Sequence, residues 1–259
     1  LLLRPDGNGK LSKRDGDRLG FPVFPLTGSL LDTKTGKPES FSGYREAGYF
    51  PDAFINMLAL LGWHSSGNQE LYTLDELVKE FSLDRVSKSG AKFDPEKTKW
   101  FNQQYLRKRS DAELADIWMA ELKAKGISTT PAFVLKAVHL VKEKAVFTTD
   151  FWSLGSFLFE APKTYDAEVI KKRWNEKSAA FVAAVKTAYE GLTDFSAAST
   201  EASFKQTAET LGIKTGEVMQ LFRVCLSGAA GGPALFEMAE LLGKDEVIRR
   251  LDSAIQNIH

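Results

Sequence analysis

The chain has 259 residues, 43% hydrophobic and 26% charged, as is ordinary for a globular protein of one to three compact units. Lysine plus arginine number 34, and aspartate plus glutamate also number 34. This zero net charge argues against a protein that coats nucleic acid by bulk attraction. No apolar run reaches the roughly 18 residues that a membrane span needs, so no membrane association is expected.

The first 16 residues combine a short apolar strand with a glycine-rich loop. Residues 1–3 form the strand-like stub. The loop carries three closely spaced cations in the segment Lys10-Leu11-Ser12-Lys13-Arg14. Glycine permits the backbone changes that a closing loop requires, and clustered cations on a loop suit an anion. The pattern predicts a mobile phosphate clamp, whereas a lysine loop considered alone is more often a solvated basic turn.

A polar stretch separates this loop from the first long helix. Residues 27–43 contain glycine, proline and many polar side chains, which is typical of an exposed turn or hairpin loop. Pro51 suits the first position of a helix that Gly62 ends. Thr73 and Glu76 have the spacing of a capping box, and an apolar run follows them. We therefore predict two helices in the region 51–81.

The rest of the chain carries helix signals almost throughout. Caps and apolar spacing predict helix starts at Asp94, Ser110, Thr130 and Asp166. The helix that begins at Asp166 is predicted to continue to Tyr189. Shorter helices are predicted at 204–211, 218–226, 235–242 and 247–255. Loops rich in Gly, Ser and Thr between helices are typical of a helix bundle, so we predict a mainly α fold.

Cys225 is the single cysteine, and the three histidines are scattered along the chain. An internal disulfide is therefore impossible, and no zinc-ligand spacing is present, so no metal site is predicted. We predict that Cys225 is a small buried hydrophobe on a helix. A reducing, cytoplasmic location fits this cysteine usage.

Three blocks in the same order resemble bacterial glutamyl-tRNA synthetases, which are class I aminoacyl-tRNA synthetases. The segment 10–14 is similar to the KMSKS signature loop of that class. The second block consists of 20–26 and 43–63, and the third block, 221–228, leads into 233–237 and 241–244. Glutaminyl-tRNA synthetases of the bacterial type read the anticodon with β-barrels, and their sequences would show short strands with alternating apolar residues. The helical second half therefore favours the glutamate enzyme.

The resemblance implies a domain organisation. It places the KMSKS-loop end of a class I catalytic domain at 1–26 and an α-rich stem-contact domain at 27–112. An all-α anticodon-binding cage occupies 113–259, with a possible subdomain boundary near 162. No HIGH-like or G-x-G-x-x-G segment is present, so we expect the chain to be the C-terminal part of a longer monomeric enzyme, inactive without the Rossmann half that binds ATP and glutamate.

The resemblance also implies roles in the lysine loop. Lys13 matches the second lysine of the signature and is the expected catalytic residue. A cation there stabilises negative charge as pyrophosphate leaves. The expected ATP-binding residues are Lys10, Leu11, Ser12, Lys13 and Arg14. ATP with Mg²⁺ is a substrate of the whole enzyme, and this part alone is expected to bind no cofactor tightly.

Near the C-terminus the resemblance implies contacts with the anticodon of tRNA(Glu). The expected residues are Lys144, Arg223, Gly232, Pro233 and Leu235. Leu235 is equally compatible with a helix core, and Arg223 with an ion pair to Glu237. The family often has arginine where Lys144 stands, and lysine lacks the planar fork that pairs with a base edge. Charging of glutamine tRNA as well is therefore left open.

The predicted function is that of glutamate-tRNA ligase. Such an enzyme activates glutamate with ATP and transfers it to tRNA(Glu), and this part supplies the lysine loop and anticodon recognition. The alternative is a stand-alone helical module that binds RNA or protein without catalysis. A basic face on the helix after Asp94 fits phosphate contact or simple solvation. Its members are Lys97, Lys99, Arg107, Lys108 and Arg109.

Overall fold

The computed structural model describes residues 2–12, 15–31 and 35–258. These residues divide into two compact units. The first consists of Leu1–Ser110 with Ala145–Asp150, and the second of Asp111–Lys144 with Phe151–His259. Helices dominate both units, which confirms the prediction of a mainly α fold.

The first unit contains all the strands that the structure describes. Its elements are β1 (Leu2–Leu3), α1 (Asp15–Leu19), β2 (Gly28–Leu31), β3 (Pro38–Phe41), α2 (Pro51–Leu60), α3 (Leu74–Glu80), β4 (Ala91–Lys92) and α4 (Pro95–Lys108). The apolar stub β1 pairs in parallel with β4, so that Leu2 lies opposite Ala91. Strands β2 and β3 form an antiparallel hairpin within the stretch predicted as a turn or hairpin loop.

Helices α2, α3 and α4 begin at the residues predicted from sequence. The Thr73 side chain and the N3 residue Glu76 form a reciprocal capping box at the start of α3. At the start of α4 the Asp94 carboxylate accepts hydrogen bonds from the backbone N–H groups of Glu96 and Lys97, each at 3.0 Å. Such contacts satisfy backbone donors that have no partner inside the helix.

An aromatic cluster forms the main core of the first unit. Its buried members are Phe21, Tyr44, Tyr49, Met57, Phe93 and Phe101. Leu11 of the lysine loop packs against this cluster. One apolar side chain of the loop is thus anchored in the core.

A buried amide joins the segment Ala145–Asp150 to the first unit. Asn102 on α4 is fully buried. Its Oδ1 accepts a hydrogen bond from the Phe50 N–H at 2.8 Å, and its Nδ2 donates to the Val146 carbonyl at 2.6 Å. One side chain therefore connects three segments that are distant in sequence.

The second unit contains only helices among its described residues. They are α5 (Asp111–Ala124), α6 (Pro131–Val141), α7 (Asp150–Gly155), α8 (Ala167–Arg173), α9 (Glu176–Glu190), α10 (Ala197–Thr210), α11 (Thr215–Ser227), α12 (Leu235–Leu242) and α13 (Lys244–Asn257). Short 3-10 helices occupy Lys142–Lys144 and Ser156–Leu158. Helix α9 packs on α10 and α13, and α5 packs on α6.

The core of the second unit is aromatic and aliphatic. Fully buried large side chains include Trp118, Phe151, Phe181, Tyr189, Phe204 and Phe222. Cys225 on α11 is also fully buried, and this burial raises the pKa of its thiol to about 12. The prediction of a buried hydrophobe at this position is confirmed.

The prediction of one long helix from Asp166 to Tyr189 is wrong. Helix α8 ends at Arg173, and α9 begins at Glu176. The Asn175 side chain accepts from the Ser178 N–H at 3.1 Å, and the Ser178 hydroxyl oxygen accepts from the Asn175 N–H at 2.8 Å. This reciprocal pair starts a new helix, so the apolar spacing continues across a break in the backbone.

We expect Asn102→Ala to destabilise the first unit. The substitution removes the partners of the Phe50 N–H and the Val146 carbonyl, and we expect the free energy of unfolding to fall by about 2 to 3 kcal/mol, measured by urea denaturation. The control is the next residue, Gln103→Ala, because the Gln103 amide approaches the Ala145 carbonyl only at 3.5 Å. Equal losses in the two variants would contradict the role assigned to Asn102.

Candidate functional site

The N-terminal arm of the lysine loop is fixed to the body of the first unit. The Leu11 N–H donates to the Leu2 carbonyl at 2.8 Å, and Lys10 forms an isolated bridge with Leu3. The side chain of Lys10 is exposed, whereas Leu11 is half-buried. Lys13 and Arg14 lie outside the described residues. The loop therefore leaves the core with Leu11 anchored and Lys10 facing solvent.

Asp15, which the sequence prediction did not select, holds the other arm of the loop. Its carboxylate accepts from the Ser12 N–H at 2.8 Å and from the Ser12 hydroxyl at 2.7 Å. The Asp15 N–H donates to the Ser12 carbonyl at 3.1 Å. A serine followed three residues later by an acidic residue is a capping-box pattern, so the sequence contained a signal for this contact.

The Asp15 carboxylate is buried and surrounded by donors. Its side chain is 4% exposed and lies 2.6 Å from Arg18 Nη2 and 3.3 Å from Arg4 Nε. The hydrogen bonds from Ser12, supported by those from Arg18 and by the charge of Arg4, hold the pKa of the Asp15 carboxyl well below its ordinary value. Asp15 is therefore an anion at every physiological pH.

Gly16 has a packing role next to this carboxylate. A Cβ built on Gly16 would lie 2.3 Å from Val23 Cγ2 and 2.7 Å from the Phe21 carbonyl oxygen. Gly7 and Gly9, in contrast, have positive φ angles of 79° and 88°, which glycine adopts without strain. Gly16 thus permits close packing after the loop, and Gly7 and Gly9 permit the turn before it.

A second candidate site lies in the second unit, where α11 is followed by the loop 228–234. Arg223 on α11 donates from Nη1 to the Pro233 carbonyl at 2.6 Å. Partial burial removes water from the guanidinium and lowers its pKa below the ordinary value. An ion pair between Arg223 and Glu237, the alternative from sequence, is not among the contacts of the described residues.

Lys144 reaches the same loop from the 3-10 helix Lys142–Lys144. Its Nζ donates to the Gly232 carbonyl. Gly232 also lies against Arg223, since a Cβ there would be 3.0 Å from the Arg223 Nη1. The structure thus brings together four of the five residues predicted for this site: Lys144, Arg223, Gly232 and Pro233.

Leu235, the fifth residue, follows the loop as the first residue of α12. Its side chain is 5% exposed, which agrees with the helix-core alternative. At the other end of the loop, Gly228 has a positive φ of 77°, and a Cβ there would lie 2.6 Å from the Thr164 carbonyl oxygen. Both ends of the loop are therefore fixed by packing.

A buried arginine supports the end of α11 that carries this loop. Arg250 on α13 is 2% exposed and donates from Nη1 to the Leu226 carbonyl at 2.7 Å. Glu246 neutralises it through a contact of 2.6 Å with Nε. A cation at a helix C-terminus satisfies a carbonyl and opposes the negative end of the helix dipole. The periodicity of the sequence did not indicate this role for Arg250.

The basic face of α4 is largely neutralised by carboxylates. Lys97 lies 2.7 Å from Glu70, and Arg109 lies 3.0 Å from Asp52. Lys99 pairs within the helix, 2.9 Å from Glu96. This pairing lowers the net positive charge that α4 offers to a phosphate.

None of the described helices has the length and hydropathy required to cross a bilayer.

Comparison with known proteins shows which class of protein this chain belongs to. The anticodon binding domain family matches residues 102–255. The catalytic domain family of class I tRNA synthetases (E and Q) matches residues 34–100. The first match alone covers more than half of the chain. Fold and matches together assign the chain to the class I aminoacyl-tRNA synthetase family.

Individual relatives narrow this class. Glutamate-tRNA ligase of Flavobacterium johnsoniae is 49% identical over 98% of this chain and 50% of its own length. The corresponding ligase of Parabacteroides distasonis is 48% identical over 99% of this chain and 50% of its own length. A crystal structure of a glutamate tRNA ligase from Elizabethkingia meningosepticum has a TM-score of 0.91 and 41% identity, covering 100% of this chain and 51% of that one.

The chain belongs to the glutamate-tRNA ligase family. It spans about half the length of the curated relatives it matches. The alternative of a helical module without catalytic relatives does not fit this membership.

The lowered pKa of Asp15 predicts a stability difference that depends on pH. A carboxyl whose folded pKa lies below its unfolded value contributes stability above the unfolded value and loses it as the pH falls through the folded value. We expect wild type to be more stable than Asp15→Asn from about pH 7 to about pH 5, and this gap to narrow below about pH 4. Urea denaturation at each pH measures the gap, and a gap that widens with acid would contradict the assignment.

Proposed function

We propose that the chain acts as the C-terminal portion of a cytoplasmic glutamate-tRNA ligase. This enzyme activates glutamate with ATP to glutamyl-adenylate and transfers the glutamyl group to the 3′ end of tRNA(Glu). The chain supplies the lysine loop that contacts the ATP phosphates and the helical unit that recognises the anticodon. The convergence of Lys144 and Arg223 on one loop, inside the stretch 102–255 matched by the anticodon binding domain family, carries the proposal.

Lys13 is proposed as the catalytic cation. The glutamate carboxylate attacks the α-phosphorus of ATP, and pyrophosphate leaves with the electron pair of the broken P–O bond. Negative charge on the departing oxygens grows in the transition state, so a nearby ammonium stabilises that state more than the ground state. The anchored positions of Leu11 and Ser12 support the proposal, because they confine the start of the segment that carries Lys13.

Lys10 and Arg14 are proposed as further ATP contacts, and Ser12, whose N–H and hydroxyl both donate to Asp15, is proposed to contribute by shaping the ATP-binding loop. Lys10 is exposed and adds positive charge at the start of the loop. ATP arrives with Mg²⁺ as a substrate. The contribution of this loop is electrostatic, since phosphate oxygens are its expected acceptors.

Anticodon recognition is proposed for the loop 228–234 and the two cations that hold it. Bases of a single-stranded RNA loop are read when they are splayed out and packed against protein surfaces or hydrogen-bonded at their edges. Arg223 and Lys144 each use a donor on a loop carbonyl, which fixes the backbone at Gly232 and Pro233. A guanidinium carries five N–H donors, so Arg223 retains capacity for a base or phosphate acceptor. Leu235 supports the loop from the core side.

We expect Lys13→Ala to abolish most adenylate formation in the full-length ligase. Without the cation, ATP–pyrophosphate exchange should fall by about 100-fold or more, because charge on the leaving group is no longer stabilised. Glutamate binding should be nearly unchanged. The control is Lys37→Ala on the exposed end of β3's hairpin, which should exchange at the wild-type rate. Normal exchange in the Lys13 variant would refute its catalytic role.

Substitutions in the second unit test anticodon recognition. We expect Arg223→Ala to weaken binding of tRNA(Glu) about tenfold, a loss of about 1.4 kcal/mol, in a filter-binding assay at fixed salt. Gly232→Ala should weaken binding less than Arg223→Ala. The new Cβ would lie only 3.0 Å from Arg223 Nη1 and would shift the guanidinium without removing it.

Gly216→Ala is the matched control for this series, because Gly216 is on α11 outside the loop 228–234 and nothing lies within 4 Å of its Cβ. A tRNA(Glu) with a replaced anticodon loop provides a second control, because its affinity should not respond to Arg223→Ala. Wild-type affinity of the Arg223 variant for intact tRNA(Glu) would exclude the proposed contact.

A further inference from the structure

We propose that Asp15 is a positioning residue for the lysine loop. Its carboxylate fixes Ser12, the residue that precedes Lys13 in the chain, and loss of this contact is expected to impair the contribution of Lys13 to the phosphate chemistry. The phosphate chemistry in this inference rests on the proposed function. The geometry of Ser12 and Asp15 does not depend on it.

The first argument is that Ser12 and Asp15 are tied to each other three times. The Ser12 N–H and hydroxyl both donate to Asp15 Oδ2, at 2.8 Å and 2.7 Å. The Asp15 N–H donates back to the Ser12 carbonyl at 3.1 Å. Lys13 is bonded directly to Ser12, and consecutive Cα atoms are about 3.8 Å apart. Fixing Ser12 therefore fixes the chain at the residue that precedes Lys13.

The second argument is that Asp15 is itself held in place. Arg18 Nη2 binds the other carboxylate oxygen, Oδ1, at 2.6 Å. Arg4 Nε approaches Oδ2 at 3.3 Å. Arg4 also belongs to the turn before the loop, because its N–H donates to the Gly9 carbonyl at 3.1 Å. The carboxylate thus joins the turn before the signature, the signature serine and helix α1.

The third argument concerns the opposite side of the signature. Leu11 packs against the core cluster of the first unit, and its N–H is bound to the Leu2 carbonyl. Leu11 and Asp15 therefore flank the loop with one apolar anchor and one ionic anchor. Preorganised charge needs no reorientation at the moment of reaction, which is why fixed cations are effective in catalysis.

A purely structural role for Asp15 makes different predictions from a positioning role. Loss of a helix start lowers stability but leaves the chemistry of the folded enzyme unchanged. Loss of a positioning contact lowers kcat for adenylate formation while KM for glutamate stays constant. Asp15→Glu should restore function partly, since glutamate makes the same capping-box contact.

The first measurement is amide hydrogen exchange of Ser12 in the chain itself. The Ser12 N–H is a direct donor to Asp15, so we expect Asp15→Ala to accelerate its exchange about tenfold, with Asp15→Asn in between. Asp94→Ala is the matched control, because it removes a helix-capping carboxylate of the same unit that bonds Glu96 and Lys97 and not Ser12. Unchanged Ser12 exchange in folded Asp15→Ala would overturn the proposal.

The second measurement is ATP–pyrophosphate exchange in the full-length ligase. We expect Asp15→Ala to lower kcat about tenfold or more, with KM for glutamate unchanged. Asp15→Glu should recover part of the loss, and Asp94→Ala should behave like wild type. If Asp15→Ala does not fold, the isosteric Asp15→Asn replaces it, with a smaller loss expected.

The outcomes separate the inference from the proposed function. Faster Ser12 exchange with wild-type kcat would show a structural role and overturn the positioning role. If the wild-type ligase itself forms no adenylate, the proposed function fails, and with it the catalytic part of this inference. Faster Ser12 exchange together with lower kcat supports both.

Discussion

Backbone groups that leave water on folding need hydrogen-bond partners, and this requirement shapes every loop discussed above. Helices satisfy their own interior groups, but loops depend on side chains. Asn102 supplies partners to two distant segments of the first unit. Asp15 does so for the lysine loop, and Arg223 for the loop 228–234. An unmade buried hydrogen bond costs more than a made one gains. These three side chains therefore decide where the loops lie.

Local signals were sufficient to predict most helices. Pro51, Thr73 and Asp94 start helices because each supplies a terminus with what it lacks, a fitting φ angle or an acceptor. The break before α9 escaped prediction for a physical reason. Asn175 pairs with a serine at the N3 position rather than with Glu or Gln, and the apolar spacing runs through it. Strand β4 has two residues, too few to show any periodicity.

For the candidate sites, the sequence selected residues but not the atoms to which they are hydrogen-bonded. Resemblance to the family selected Lys144 and Gly232, yet these residues are 88 positions apart, and nothing local joins them. The partner of Arg223 could not be predicted either. The Pro233 carbonyl comes within hydrogen-bond distance of the Arg223 guanidinium only when the loop is folded, whereas a carboxylate such as Glu237 is visible in the sequence. Asp15 was not selected although its spacing from Ser12 was visible in the sequence, because a phosphate site is predicted from cations and Asp15 is an anion.

The path of the chain between the two units has a practical consequence. The polypeptide changes units after Ser110, after Lys144 and again after Asp150. The hexapeptide 145–150 therefore folds with the first unit, through the Asn102 contact to Val146 and the packing of Phe147 on Tyr49. No single cut in the gene yields both units intact. To produce the two units separately, residues 145–150 would have to be added to the first unit. In the second unit a linker would have to replace them between Lys144 and Phe151.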